Sequence, residues 1–257
     1  MSSDAALDRV YALKEMQIHI CNLVLTAIFT VNVDLGAFAR NVGGAYRPSK
    51  FAAVRFRIKQ PKCTLLVFKS GKCVCIGCTK VIHAEAAINQ CFRHICGVDR
   101  AAKISNIRVQ NIVSHTNIGK RVNLIKMSKE NSMNISYDPE LFPGLRMSLR
   151  EQNARACVFF QGNIVVTGCK DFDTLFRVWQ IVKARIDPYV ETSEGALSMV
   201  TTSASGMNHS SSAVQRHVDR LTYNEDADVE TMNDSLQMAS RGSVGEYTRS
   251  SKQTVTE

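Results

Sequence analysis

The chain has 257 residues, 45% hydrophobic and 21% charged, with 32 Lys+Arg against 23 Asp+Glu and a formal charge of +9. This is a globular composition, long enough for one large domain or two small ones. It holds no run of the ~18 consecutive apolar residues that a membrane span needs, because His19, Asn22 and Asn32 interrupt the longest stretch, Ile18 to Val33. The charge is unevenly placed: residues 1–190 carry 27 basic and 13 acidic side chains, and residues 191–257 carry 5 and 10. A compact body that basic calls for a polyanionic partner, nucleic acid first. Ser2, Ser3 and Asp4 stand where a signal peptide would be basic, so none is expected. Nine cysteines without disulfide-framework spacing fit a reducing compartment.

Residues 1–17 read as an arm, helical or frayed, with Leu7, Val10, Tyr11 and Lys14 on one side. A strand is predicted from Ile20 to Val31, then a connection, a strand after Phe51 and a hairpin turning at Ser70-Gly71. A long amphipathic helix follows, with Ile82, Ala86, Ile88, Cys91, Phe92 and Ile95 on its apolar face. The series then recurs: a strand from Val109 to His115, a strand after Phe142, a hairpin turning at Gln161-Gly162, and a helix carrying Phe172, Leu175, Phe176, Trp179 and Val182. Residues 191–257 contain 20 Ser+Thr, no Phe and no Trp. They cannot bury enough apolar surface to offset ordering entropy and read as a disordered, acidic tail.

The recurrence is a true internal repeat. Val67–Lys72 answers Val158–Asn163, Val74–Cys78 answers Val165–Cys169, and Phe51 answers Phe142, all at an offset of 91; Asn22 answers Asn111 at 89. Two half-domains, about 18–103 and 104–190, are expected, related by a pseudo-twofold. The fold class is α+β, with helices on one face of an antiparallel sheet and the other face open or binding something. Strand alternation gives that second face Val, Thr, Leu and Phe, an Asn near each first strand, and Arg and Lys at its ends. Such a surface suits the DNA minor groove, whose floor offers degenerate acceptors between apolar sugar walls. Phenylalanines beside turns can wedge between base steps, and Arg and Lys can meet phosphates on the rims.

The residues resemble the saddle domain of the TATA-box-binding protein family from about His19 to Val190. Tyr46–Val54 resembles the segment carrying the first wedge, Leu66–Lys72 the first hairpin, and Ile107–Val113 the start of the second repeat. Tyr137-Asp138-Pro139-Glu140-Leu141-Phe142-Pro143-Gly144-Leu145 is the most specific match. The resemblance implies a curved, saddle-shaped antiparallel sheet with helices on its convex face. It implies that Phe51 with Phe68, and Phe142 with Phe159, kink the two ends of a site, and that Asn22 and Asn111 donate to bases at its centre. Val24, Val113, Leu66, Val74, Val165 and Thr167 would line the groove; Arg57 and Lys72 would meet phosphates. Asp138, Glu140 and Leu141 would dock a transcription factor IIB-like protein. Further implied partners are double-stranded promoter DNA, factor IIA and TATA-binding-protein-associated factors, in the nucleus, with no catalysis and no cofactor. The family is itself the type case of wedge-driven bending.

Several residues depart from the family pattern. Ile76 stands for a base-contacting Thr, Asn163 for a phosphate-binding Lys, Arg155 for an apolar groove contact and Cys157 for a Leu. They keep open a second reading: a related paralogue with weak or altered DNA specificity, acting mainly as a protein-interaction platform. Cys73-X-Cys75-X-X-Cys78 resembles a metal cluster, with His83 as a weak further ligand. The alternatives are buried structural thiols, which the sequence favours, and zinc. The six His are scattered and suggest no catalytic triad.

Overall fold

The computed structural model describes residues 11–96, 102–131 and 133–191; most of the arm and all but the first residue of the expected tail lie outside them. Strand β1 (His19–Phe29) leads into helix α1 (Leu35–Val42), then β2 (Ala45–Arg47), β3 (Phe51–Ile58), β4 (Cys63–Phe68), β5 (Lys72–Cys78) and helix α2 (Val81–Cys96). The second half follows the same plan with β6 (Ile104–Asn117), α3 (Leu124–Glu130), β7 (Ile135–Ser136), β8 (Gly144–Leu149), β9 (Ala154–Phe159), β10 (Asn163–Cys169) and α4 (Phe172–Ile186). β1 stops two residues before the expected Val31, and β6 starts at Ile104, ahead of the expected Val109, and ends at Asn117, just past His115.

Local chemistry explains the boundaries. Asp34 caps α1 by accepting the N–H groups of Gly36 and Ala37, Asn123 caps α3 through the Lys126 N–H, and Asp171 caps α4 through the Thr174 N–H. Both hairpins turn on a left-handed glycine, Gly71 at φ 79° and Gly162 at φ 81°. A Cβ would lie 2.1 Å from the Phe29 carbonyl oxygen at Gly71 and 2.2 Å from that of Lys120 at Gly162, so conformation and close approach both demand glycine.

Among the described residues ten strands form one sheet, ordered β2-β3-β4-β5-β1-β6-β10-β9-β8-β7, a sequence that mirrors itself about the β1–β6 seam. At the seam Asn22 pairs with Val113, Leu23 with Ile112, and Val24 with Asn111, so the pseudo-twofold exchanges an Asn–Val pair for a Val–Asn pair. The register skips Cys21 on one strand and Gln110 on the other; these matched bulges add local twist.

The buried side chains of helices α1 to α4 join one core with Leu23, Leu25, Ala27 and Phe29 of β1 and Val54, Phe56, Leu65, Val67, Cys73 and Cys75 of the hairpin strands. Trp179 of α4 ties into it by donating from Nε1 to Ser114 Oγ at 2.9 Å. α4 buries Leu175, Trp179 and Val182 as expected, with Val178 and Ile186. α2 corrects the expected phase. Ala84, Ala87, Ile88, Cys91 and Ile95 are buried, whereas Ile82 is 68% exposed and Ala86 is exposed. At about 100° per residue, Ile82 and Ala86 lie across the helix from that stripe. In the arm the inward residue is Leu13, 2% exposed, while Tyr11 points to solvent.

Candidate nucleic-acid interface

Because alternate residues of each strand join the helix-side core, those between them occupy the opposite face. That face carries Asn22 and Val24 from β1, Phe51 and Arg57 from β3, Leu66 and Phe68 from β4, and Lys72 and Val74 from β5. The pseudo-twofold adds Asn111 and Val113 from β6, Phe159 from β9, Val165 and Thr167 from β10, and Phe142 just ahead of β8. Every residue expected on the groove surface therefore lies on this one face. Val113, Phe159 and Val165 form a small apolar cluster of their own, with Cys21, Phe142 and Cys157 against it. Asn22, Leu66, Val74, Val113, Phe159 and Val165 are buried.

The two phenylalanine pairs match in geometry. Phe51 and Phe68 pack edge to face with ring centroids 6.0 Å apart at 67°, and Phe142 and Phe159 at 5.8 Å and 66°. In each half the first ring precedes by two residues the position paired with the second: Ala53 faces Phe68 and Gly144 faces Phe159. Gly144 makes room for its pair, since a Cβ there would lie 2.6 Å from Phe142 Cε1 and 3.0 Å from Phe159 Cε1. The Arg146 guanidinium sits 5.4 Å from the Phe142 ring centre.

The two asparagines are also held alike. Asn22 Oδ1 accepts the Gly77 N–H at 2.9 Å, and Asn111 Oδ1 accepts the Gly168 N–H at 2.8 Å. Both glycines have left-handed φ values, 102° and 103°. Each amide oxygen is thus engaged by the backbone; Asn22 is buried and Asn111 half-buried. Thr167 Oγ1 lies 3.3 Å from Asn111 Oδ1; Ile76, at the equivalent position, has no hydroxyl to offer.

The charge of the face is positive and unequal between its halves. Arg55 and Arg57 border the first half, with Lys72 at its turn; Arg146 and Arg155 border the second, where Asn163 replaces the lysine and accepts from Asn117 Nδ2 at 2.8 Å. Burial pushes the Cys21 and Cys157 thiols up to about 11, Arg146 and Arg155 opposing the shift at Cys157. These thiols stay protonated at neutral pH and leave the positive charge uncancelled. Beside the second ring pair, Asp138 Oδ1 accepts the N–H groups of Glu140 and Leu141 at 3.1 and 3.4 Å. This turn presents Leu141, 80% exposed, at its tip.

The family model described as "Transcription factor TFIID (or TATA-binding protein, TBP)" matches residues 17–97 and again 106–187. The chain belongs to the TATA-binding protein family. The two matches are the two repeats of the sheet, and the fold is the family's open, saddle-like one. The TATA-box-binding protein of Dictyostelium discoideum is 32% identical over 160 residues, 62% of this chain and 78% of its own. TATA-box-binding protein 2 of Arabidopsis thaliana is 35% identical over 150 residues, 58% and 75%. The solved structure of Methanococcus jannaschii TBP superposes with a TM-score of 0.60 at 28% identity, covering 66% of this chain and 98% of that one.

Sequence reasoning missed three features of this TATA-binding-protein face. His19 and His115 pair across the seam with ring centroids 5.6 Å apart; alternation from Val113 to His115 was the available signal. Gly77 and Gly168 position the asparagines, a role hidden because the contacts span 55 and 57 residues. Gly144 makes space for the second ring pair, while its counterpart Ala53 does not share the glycine.

Proposed function

We propose that this chain is a DNA-binding transcription initiation factor. It seats TATA-like promoter DNA by the minor groove on the helix-free face, bends it, and nucleates assembly of an initiation complex in the nucleus. The observation that carries this reading is the duplicated constellation of an Asn held by a glycine N–H at the seam and an edge-to-face Phe pair at each end. Each amide NH2 would donate to the acceptors of the groove floor, each Phe pair would wedge open one end of the site, and Arg57 and Lys72 would meet phosphates. Asn22, Leu66, Val74, Val113, Phe159 and Val165 are buried in the unbound chain, so binding a duplex would have to uncover them, one wedge ring and one amide included. The work is binding and deformation, with no covalent step. Residues 18–190 form the binding body between the arm, 1–17, and the acidic tail, 191–257. The Asp138–Leu141 turn offers an exposed leucine between acceptors to a transcription factor IIB-like partner; factor IIA and associated factors would approach the helix side.

Ile76, Asn163, Arg155 and Cys157 favour a second reading, in which the saddle persists mainly as a protein platform. One comparison separates the two. Bending of end-labelled TATA and GC-substituted duplexes is measured by energy transfer for the full chain and for Phe51→Ala/Phe142→Ala. Bending of the TATA duplex by the wild type, lost in the variant, supports the first reading. Salt-sensitive binding of both duplexes without bending overturns it in favour of the second.

A further inference from the structure

On the helix side of the first repeat, the thiols of Cys63, Cys75 and Cys78 converge. All three are buried and their Sγ atoms lie within 4.8 Å of one another. Cys63 opens β4, while Cys75 and Cys78 belong to β5. Between the latter two the strand turns a corner at Gly77, φ 102°, where a Cβ would lie 3.5 Å from Cys63 Cα; this corner brings Cys78 round to Cys63. The grouping corrects the sequence reading, which took Cys73 with Cys75 and Cys78. Cys73 pairs with Val67 and Ala27 further along the strand, and the sulfur that completes the group comes from the neighbouring strand.

The fold does not require sulfur here. The second repeat builds the same corner with Ala154, Val166 and Cys169, which are equally buried. Two of its three positions are ordinary apolar residues. The first repeat carries thiols at the two places where the second has Ala and Val, and these complete the set of three sulfurs. Cys78 also lines an open cavity that His83, from the first turn of α2, shares with Gln60, Pro61, Lys62, Gly77 and Thr79. Three soft sulfur donors make up most of the donor set of a tetrahedral zinc site, and the exposed His83 imidazole, outside the 4.8 Å group, borders the same cavity and has to swing inward to complete it.

We propose that Cys63, Cys75 and Cys78 hold a zinc ion, with His83 supplying the fourth ligand across the shared cavity. Three thiol protons leave as three Zn–S bonds form, and no oxidant or reductant takes part. The ion pins the start of α2 to the β4–β5 hairpin, and its presence is independent of what the opposite face binds.

The test uses the full chain, reduced, stripped with a chelator and titrated with Co²⁺ and then Zn²⁺. One Co²⁺ per chain is expected, with thiolate-to-cobalt charge-transfer absorption and tetrahedral d–d bands that one equivalent of Zn²⁺ bleaches. Cys63→Ala/Cys75→Val installs the residues the second repeat already uses at this corner. It should abolish both absorptions while circular dichroism is unchanged. His83→Ala should keep the charge-transfer band and weaken the affinity; unchanged affinity removes His83 from the set. Absence of cobalt–thiolate absorption in a wild-type chain whose thiols all titrate as reduced overturns the site, whether or not the double variant folds. Bands that survive Cys63→Ala/Cys75→Val overturn it as well.

Discussion

Asn111 offers the sharpest separation of structure from binding, because its amide oxygen anchors the Gly168 N–H while the proposed function gives its NH2 to the DNA. Asn111→Ala removes the acceptor of the Gly168 N–H, a 2.8 Å bond in a partly buried setting. Leaving such a donor unpaired costs about 1–3 kcal/mol. In a body of this size each kcal/mol moves the melting temperature by about 2–4 °C, so a fall of roughly 2–12 °C is expected. Asn111→Asp keeps an acceptor oxygen and the shape, so its stability should stay within about 1 kcal/mol of the wild type. It replaces the NH2 that the proposed function gives to the groove by an oxygen, however, and the groove floor also presents acceptors. A lost hydrogen bond of about 1 kcal/mol plus an unpaired acceptor at about 1 kcal/mol or more gives at least a roughly 30-fold loss in affinity for a TATA duplex. Thermal melts by circular dichroism and fluorescence anisotropy read the two effects separately. An Asn111→Ala chain as stable as the wild type would refute the backbone anchoring. A folded Asn111→Asp chain that binds as tightly as the wild type would refute the assignment of the NH2 to the groove. Asn22→Ala should lose stability in the same way, through the Gly77 N–H.

Lys72→Ala and Arg57→Ala should each lower the slope of log K against log salt concentration by about 0.9 and leave the TATA-to-GC preference intact, as anisotropy titrations across salt will show. Gly144→Ala forces a Cβ to within 2.6 Å of Phe142 Cε1. It should cost about 1–3 kcal/mol in urea unfolding and reduce bending at that end; unchanged unfolding would mean that the rings yield freely. Burial, and then the neighbouring His19, hold His115 below the usual histidine value of 6.5. The folded state therefore resists protonation that the unfolded chain accepts, and stability that is present above about pH 6.5 is lost as pH falls through the folded value. His115→Gln should flatten that part of the stability–pH curve.

The repeat made much of this architecture legible. Once Val67–Lys72 and Val158–Asn163 are aligned, each hairpin, its left-handed glycine and its closing helix appear twice, and strand alternation places the Phe, Val and Asn residues on one face. The phase of α2 was misread because Ile82 and Ala86 are apolar yet lie on the solvent side, and composition alone does not distinguish an exposed Ile from a buried one. The anchoring of Asn22 and Asn111 by glycine N–H groups was hidden because it depends on bulges where the register slips, which alternation cannot anticipate. The sulfur cluster was read along one strand, whereas the sulfur that completes it, on Cys63, comes from the adjacent strand, a relation that only the pairing of β4 with β5 reveals.

The mirror order of the sheet places its two shortest strands at its two margins: β2 has three residues and β7 has two. An unpaired margin is where a second polypeptide can continue a ladder, and the number of N–H and C=O groups in a row there sets how firmly it can do so. With margins this short, a ten-stranded sheet offers an incoming chain scarcely one turn of the ladder at either side. The duplicated design can thus widen its binding surface to ten strands without widening the opening for edge-to-edge aggregation.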